Sequence, residues 1–246
     1  MDRELTFEGS DYSLSDLLSP QWRSAAYLDG HDCEDLVVSC PKDGVAVWDS
    51  AIAGGGPGDD YSRGAACDSA GRCVASGDIR NAEGSFGLYP VQFGSEVVQV
   101  DSTPERPTSS YLLGFKPDGT QESPVIIPGF ASVDVDMQSN GNAVIAGRLF
   151  AELATQSGPV APLVGFADAG WIAIDPSGVF RYGAAFGSGG ADAINEIAVG
   201  DDDSVVVIGP FGETSSRQDI EFPDGSTSPF TGGDIDVFVA GMGTSG

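Results

Sequence analysis

The sequence predicts an all-β fold, a β-propeller or propeller arc of four-stranded antiparallel blades, with about three and a half blades in the chain. Three observations predict it. A strand-ending phrase is written four times, at Leu36 to Gly44 (LVVSCPKDG), Tyr111 to Gly119 (YLLGFKPDG), Gly170 to Gly178 (GWIAIDPSG) and Phe238 to Gly246 (FVAGMGTSG). Between those endings an apolar run, a few turn residues and a second apolar run recur, at Ala65 to Gly77, Val135 to Gly147 and Ile197 to Gly209, which is the chemistry of a β-hairpin. The chain also holds 35 Gly and 15 Pro, with apolar runs that are short and rich in Val and Ile, as buried strands require. A hydrophobic content of 41% supports a real core, so Gly and Pro here punctuate turns.

In chain order, residues 1–44 read as the late half of a first blade. Leu5 to Ser10 (LTFEGS) aligns with Ile220 to Ser226 (IEFPDGS), which follows the hairpin of the last unit. Residues 45–119 read as a blade with a long insertion, 120–178 as a second blade and 179–246 as a third. The strand-ending glycines Gly44, Gly119, Gly178 and Gly246 are 75, 59 and 68 residues apart, longer than the roughly 40 to 50 residues of compact blades. The excess lies after each hairpin, as at Phe86 to Ser110, and insertions on one edge of a repeat are where binding is expected. Tyr12 to Ala25 is the best helical stretch and is interrupted by Pro20. Both ends supply the same late half of a blade, so simple ring closure is not expected. A longer array, a second copy or a partner chain would complete the ring.

The formal net charge of −26 excludes nucleic acid as the expected partner, since phosphate would be repelled over the whole surface. It fits cations, basic partners or a salty habitat, and equally acidic loops that keep a Gly-rich β protein dispersed. No run approaches the 18 or more apolar residues of a membrane span. The start, MDRELTFEGSD, has neither the basic region nor the apolar core of a secretion signal.

Cys67 and Cys73 flank the hairpin turn DSAGR, so a disulfide across antiparallel strands is expected there. Cys33 and Cys40 are seven residues apart on one predicted strand, about 23 Å when extended. They pair only if Cys33 lies in a turn; a Cys40–Cys73 bridge or free buried thiols are the alternatives. His31 is the sole histidine and no Gly-x-Ser-x-Gly elbow occurs, so a catalytic triad has little support. Structural Ca²⁺ is the better chemistry. Asp59 with Asp60, Asp134 with Asp136, and Asp201, Asp202 and Asp203 concentrate hard oxygen ligands, although none has the EF-hand pattern and such turns often only bind their own backbone. Asp134 and Asp136 share one strand face by alternation. Trp48 and Tyr182 follow closing glycines and read as repeated packing residues, and Trp171 reads as core. Phe86, Tyr89 and Phe93, in the longest insertion, are the candidates for an exposed contact surface.

Several of these phrases resemble a known family. Gly54 to Asp60 (GGGPGDD) with Cys67 to Gly71 (CDSAG), Gln138 to Asn142 (QSNGN), Gly187 to Asp192 (GSGGAD), and the closings KPDG and DPSG are similar to the bacterial seven-bladed β-propeller repeat. The departures are Asp201 to Asp203 in place of the glycine turn, a last closing without proline, and a middle unit without the GGxGxD phrase. The resemblance covers most of residues 32–246 and implies a large exported or surface protein of a bacterium, used as a scaffold. The expected function is therefore a non-catalytic repeat scaffold for binding or assembly, secreted or on the cell surface, with a protein or carbohydrate ligand at the insertions. The alternatives are a carbohydrate-active glycosidase or lyase using channel carboxylates, and a self-assembling structural subunit.

Overall fold

A computed structural model describes residues 5–7, 10–12, 52–104, 106–160, 167–212 and 218–242. The chain divides into two units, Met1–Ala51 and Ile52–Gly246. In the first, strand β1 (Leu5–Phe7) pairs antiparallel with β2 (Ser10–Tyr12).

The second unit is a run of antiparallel sheets with no helix among its described residues. Strand β3 (Gly54–Gly55) precedes the hairpin of β4 (Tyr61–Cys67) and β5 (Cys73–Arg80). An inserted hairpin follows, β6 (Gly87–Phe93) and β7 (Glu96–Ser102), before β8 (Thr108–Phe115) returns beside β5 and β9 (Val125–Pro128) pairs with β8. The first sheet therefore runs β4-β5-β8-β9. The second repeats it with β10 (Phe130–Met137), β11 (Ala143–Leu149), β14 (Asp168–Ile174) and β15 (Phe180–Phe186), and its insertion is the short hairpin of β12 (Ala154–Thr155) and β13 (Gly158–Pro159). The third has β16 (Glu196–Val199), β17 (Val205–Phe211) and β20 (Asp236–Met242), with β18 (Ile220–Glu221) and β19 (Thr227–Ser228) inserted. The all-β antiparallel expectation holds; the first two sheets have the expected four strands and the third has three among the described residues. The strand-ending glycines Gly119 and Gly178 sit in the turns between the third and fourth strands of their sheets.

Alternation along the strands assigns each sheet two faces. Val74 and Leu112 of the first sheet pack with Val135, Met137, Ile145, Ile172 and Ile174 of the second. From the second sheet's opposite face, Val144, Ala146, Trp171 and Phe186 pack with Ile197, Val205, Val207 and Phe238 of the third. The middle sheet is covered on both sides, which is why β14 is buried at all seven residues and reads as an unbroken apolar run.

The three hairpins share one turn. Gly71 N–H donates to Asp68 O and Asp68 N–H to Arg72 O; the same pair of bonds joins Gly141, Gln138 and Asn142, and again Asp203, Gly200 and Ser204. The fourth turn residue needs a positive φ, 84° at Gly71 and 82° at Gly141, which glycine adopts without steric cost. Asp203 holds that place with φ 61°.

A second glycine recurs for a different reason. At Gly77, Gly147 and Gly209 an added Cβ would lie 1.9, 2.0 and 1.9 Å from the carbonyl oxygens of Tyr61, Ala131 and Ala193. The register of the first two hairpins shifts opposite these glycines, between Ser62 and Gly64 and between Ser132 and Asp134. The extra residue of a β-bulge pushes one backbone into the space a side chain would fill.

Candidate functional site

Chemistry-bearing side chains converge at three places in the second unit: the hairpin turns, the seam between the first two sheets, and the loop over β3. At the turns, Arg72 leaves the first hairpin, forks onto Glu122 (Nη2 to Oε2 2.7 Å) and donates from Nη1 to the carbonyl of Gly141 in the second hairpin (3.0 Å). Asp203 returns from the third hairpin, and its carboxylate accepts from Ser139 N–H at 2.6 Å and Ser139 Oγ at 2.8 Å. The non-glycine positive φ is thus held by bonds 64 residues away in sequence. Turns from three hairpins are tied in a row.

Five of the seven predicted Ca²⁺ ligands, Asp60, Asp134, Asp136, Asp202 and Asp203, accept hydrogen bonds from backbone amides. Asp134 accepts from the N–H groups of Val135 (2.9 Å) and Ile197 (3.1 Å), and Asp136 from those of Met137 and Val199 (both 2.7 Å). Side chains of β10 thereby satisfy two amides of β16 in the following sheet, in place of a strand neighbour. Asp60 accepts from Gly56 N–H (2.7 Å) and Asp202 from Ser204 N–H (3.0 Å), while Asp59 and Asp201 are exposed. Among the described residues no three metal-ligating side chains group together. Alternation placed Asp134 and Asp136 on one face as expected, but that face looks onto the next sheet.

The seam between the first two sheets carries a polar set that composition did not single out. Asp78, 2% exposed, accepts from Arg63 (3.2 Å) and from Ser110 Oγ (3.3 Å). Ser110 Oγ shares its one proton between Asp78 and Phe130 O, the latter at 2.9 Å, and accepts from Ser132 N–H, while Ser132 Oγ donates to Ser76 Oγ at 2.9 Å. One signal was available: an aspartate inside the apolar strand VASGDIR is out of pattern. Its partners on β4 and β8 were invisible in the sequence.

Burial pushes the Asp78 carboxyl above its ordinary 3.8, against the opposing pull of the Arg63 guanidinium. Folding thus favours the protonated acid, so this contribution is fully present below the unfolded value and is lost as pH rises through the raised folded value. Four turn aspartates shift the other way. Side-chain hydrogen bonds from Thr120, Ser177, Ser204 and Ser226 hold Asp118, Asp175, Asp202 and Asp224 below 3.8, so their stabilisation is lost as pH falls through those depressed values. Asp78→Asn removes only the opposing contribution. Thermal melts between about pH 3 and pH 6 are expected to show D78N losing stability on acidification more steeply than the wild type; parallel curves would refute the burial argument.

The third place is a cavity of about 190 Å³ under the glycine-rich loop, lined by Asp60, Tyr61, Phe93, Tyr111 and Phe115 among others. Asp60 Oδ1 is buried there without a hydrogen-bond partner. The similar loop at Ser188–Asp192 closes fully, because Asp192 accepts from Ser188 N–H (2.6 Å) and from Gly212 N–H (2.9 Å). Burial and the Asp60 carboxylate together push the neighbouring Tyr89 hydroxyl up to about 12. The cavity is smaller than the roughly 300 Å³ at which small-molecule sites begin, and suits water bridging the orphaned oxygen.

The aromatic candidates separate. Phe86 is 55% exposed, as a contact residue should be, but Tyr89 and Phe93 are buried at 4% and 3%. The insertion folds as the sheet β3-β6-β7 and lays Tyr89, Val91 and Phe93 against Ile79, Tyr111 and Leu113 of the first sheet. Phe93 and Tyr111 rings stand 4.9 Å apart. The large apolar side chains of this insertion that are exposed are Phe86 with Leu88 and Val97. Trp171 is core, edge-on to Tyr182. Cys67 and Cys73 form the expected disulfide across the ends of β4 and β5. Cys33, Cys40, His31 and Trp48 lie outside the described residues. No helix among the described residues is long and apolar enough to cross a membrane. Compared with known proteins, the chain matches no family model and none of the curated sequences.

Proposed function

We propose that the chain is a non-catalytic repeat scaffold of the β-propeller type, an arc of blades that binds a protein or carbohydrate through its inserted hairpins. The observation that carries this reading is the recurrence of one strand meander with an insertion at the same point each time, between the second and third strands. A repeat keeps its frame and varies its insertions when the insertions do the recognising. The sequence resemblance to the bacterial seven-bladed repeat supports the propeller assignment. The Cys67–Cys73 disulfide favours an oxidising compartment, hence secretion or surface display. A scaffold role also fits the placement of the carboxylates: Asp134, Asp136 and Asp203 are engaged by backbone amides and are poorly set to act as acid and base.

The test is retention without turnover. Immobilised chain is challenged with polysaccharides and with protein fractions of bacterial envelopes, and released sugar is assayed in parallel. Retention that weakens on Phe86→Ser and Leu88→Ser, with no sugar released, is the expected result. Hydrolysis of any polysaccharide that disappears in a single carboxylate variant would overturn the scaffold reading in favour of a glycosidase or lyase.

A further inference from the structure

A groove of about 370 Å³ opens where two turns meet, the β8–β9 turn of the first sheet and the β14–β15 turn of the second. Gly178 lets them approach, since a Cβ there would stand 2.9 Å from Val125 Cγ2. The tip of the first insertion adds a wall through Glu96, the first residue of β7. Both sheets carry their four strands, so the groove is bounded by finished structure on either side. Most of its charged groups are already used within the fold. Glu122 takes the Arg72 fork at 2.7 Å. Asp175 accepts from Ser177 N–H (2.9 Å), Ser177 Oγ (2.6 Å) and Val179 N–H (3.0 Å), and lies 3.6 Å from Arg181. Lys116 and Glu96 are different. Lys116 is exposed, and among the described residues its ammonium makes no hydrogen bond or ion pair. Glu96 is half-buried and accepts one long bond there, from Ser123 Oγ at 3.4 Å.

We infer that this groove binds a neutral sugar, one or two pyranose units of a carbohydrate chain. Its volume exceeds the roughly 300 Å³ at which small-molecule sites begin. An apolar ligand would strip water from Lys116 and Glu96 and give neither a partner. An anion would face Glu96, Glu122 and Asp175 within a chain of net charge −26, and a cation would face Lys116 and Arg72. A sugar hydroxyl meets neither objection, because one group both donates and accepts. It donates to the Glu96 carboxylate and accepts from the Lys116 ammonium, and both bonds are charge-assisted. The C–H side of a pyranose ring covers Pro176 and Val125, which supply apolar surface to the same groove. This assignment rests on the scaffold reading and names its ligand: Glu96 belongs to the inserted hairpin, and the sugar is the carbohydrate of that reading.

The test titrates neutral disaccharides (cellobiose, maltose, mannobiose and N,N′-diacetylchitobiose) into the intact chain by calorimetry, beside a disaccharide of uronic acids. Saturable binding of at least one neutral disaccharide is expected, unchanged by added salt. Glu96→Ala and Lys116→Ala should each weaken it about tenfold or more, the size of a lost hydrogen bond to a charged group. Glu96→Gln keeps the shape and removes the charge, and should lose less than Glu96→Ala. Both positions touch solvent, so the variants should keep the circular dichroism of the wild type. Phe86→Ser is the control: Glu96 pairs with Phe93 at the other end of the hairpin, so the disaccharide affinity should not change. Three results overturn the inference alone: binding indifferent to both alanine variants, preference for the uronate, or no disaccharide bound by a chain that still retains a macromolecule through Phe86 and Leu88. A chain that retains neither polysaccharide nor envelope protein overturns the scaffold reading beneath it.

Discussion

Gly147→Ala is expected to cost at least about 3 kcal/mol, enough to unfold a domain of ordinary stability at modest temperature. The added Cβ would stand 2.0 Å from Ala131 O and 3.1 Å from Ser132 Cα, and all the obstructing atoms are backbone. No side chain can swing aside. The bulge opposite Gly147 would have to unwind, and the second sheet is packed on both faces, so the strain has nowhere to spread. Gly147 is not among the residues with positive φ, so the penalty comes from space and not from backbone dihedrals. Gly241→Ala is the matched control. It too lies in a strand without positive φ, but a Cβ there meets nothing within 4 Å, and its effect should stay within about 0.5 kcal/mol. Urea unfolding of the two variants beside the wild type decides the matter; equal, small shifts would refute the bulge argument.

Arg72→Ala is expected to be the most damaging change among the charged residues, about 3 kcal/mol by the cost of breaking a largely buried pair. Arg72 and Glu122 side chains are only 12% and 18% exposed, so truncation strands the Glu122 carboxylate and frees the Gly141 carbonyl together. Lysine should not rescue, because a point charge cannot span Glu122 and Gly141 as the guanidinium fork does. Paired removal of both partners, Arg72→Ala with Glu122→Ala, should recover part of the loss, since no charge is then left without its counterpart. Denaturant midpoints for the cycle of single and double variants measure the coupling directly. A loss below about 1 kcal/mol for R72A would mean that the pair behaves as an exposed one.

Both predictions concern devices that join sheets, and their legibility in the sequence was uneven. Gly147 was visible as the last residue of the recurring hairpin phrase Val135 to Gly147, though its role as the floor of a bulge was not. Arg72 was visible only as a residue of the turn DSAGR, because Glu122 lies 50 residues away and Gly141 lies 69 away. Asp203 was expected in a turn that binds its own backbone. It occupies that turn, but its carboxylate crosses to Ser139.

The division follows from the range of the forces. The sequence alone determined the hairpins, the repeated turns and the strands that alternate or run apolar throughout, because each depends on residues within about ten positions of one another; it favoured the Cys67–Cys73 pairing, and the structure decided it against a Cys40–Cys73 bridge. It also determined that the units recur, since a repeat is a property of the text itself. Only the tertiary structure decided which carboxylates are spent. Asp134 and Asp136 satisfy amides of Ile197 and Val199, 63 residues on, and Asp78 finds its partners on two other strands. The tertiary structure also turned Tyr89 and Phe93 inward, because the insertion, read as an exposed loop, is itself a sheet with an apolar face to cover. An apolar side chain in a strand has no direction of its own; the nearest uncovered sheet face decides which way it is buried.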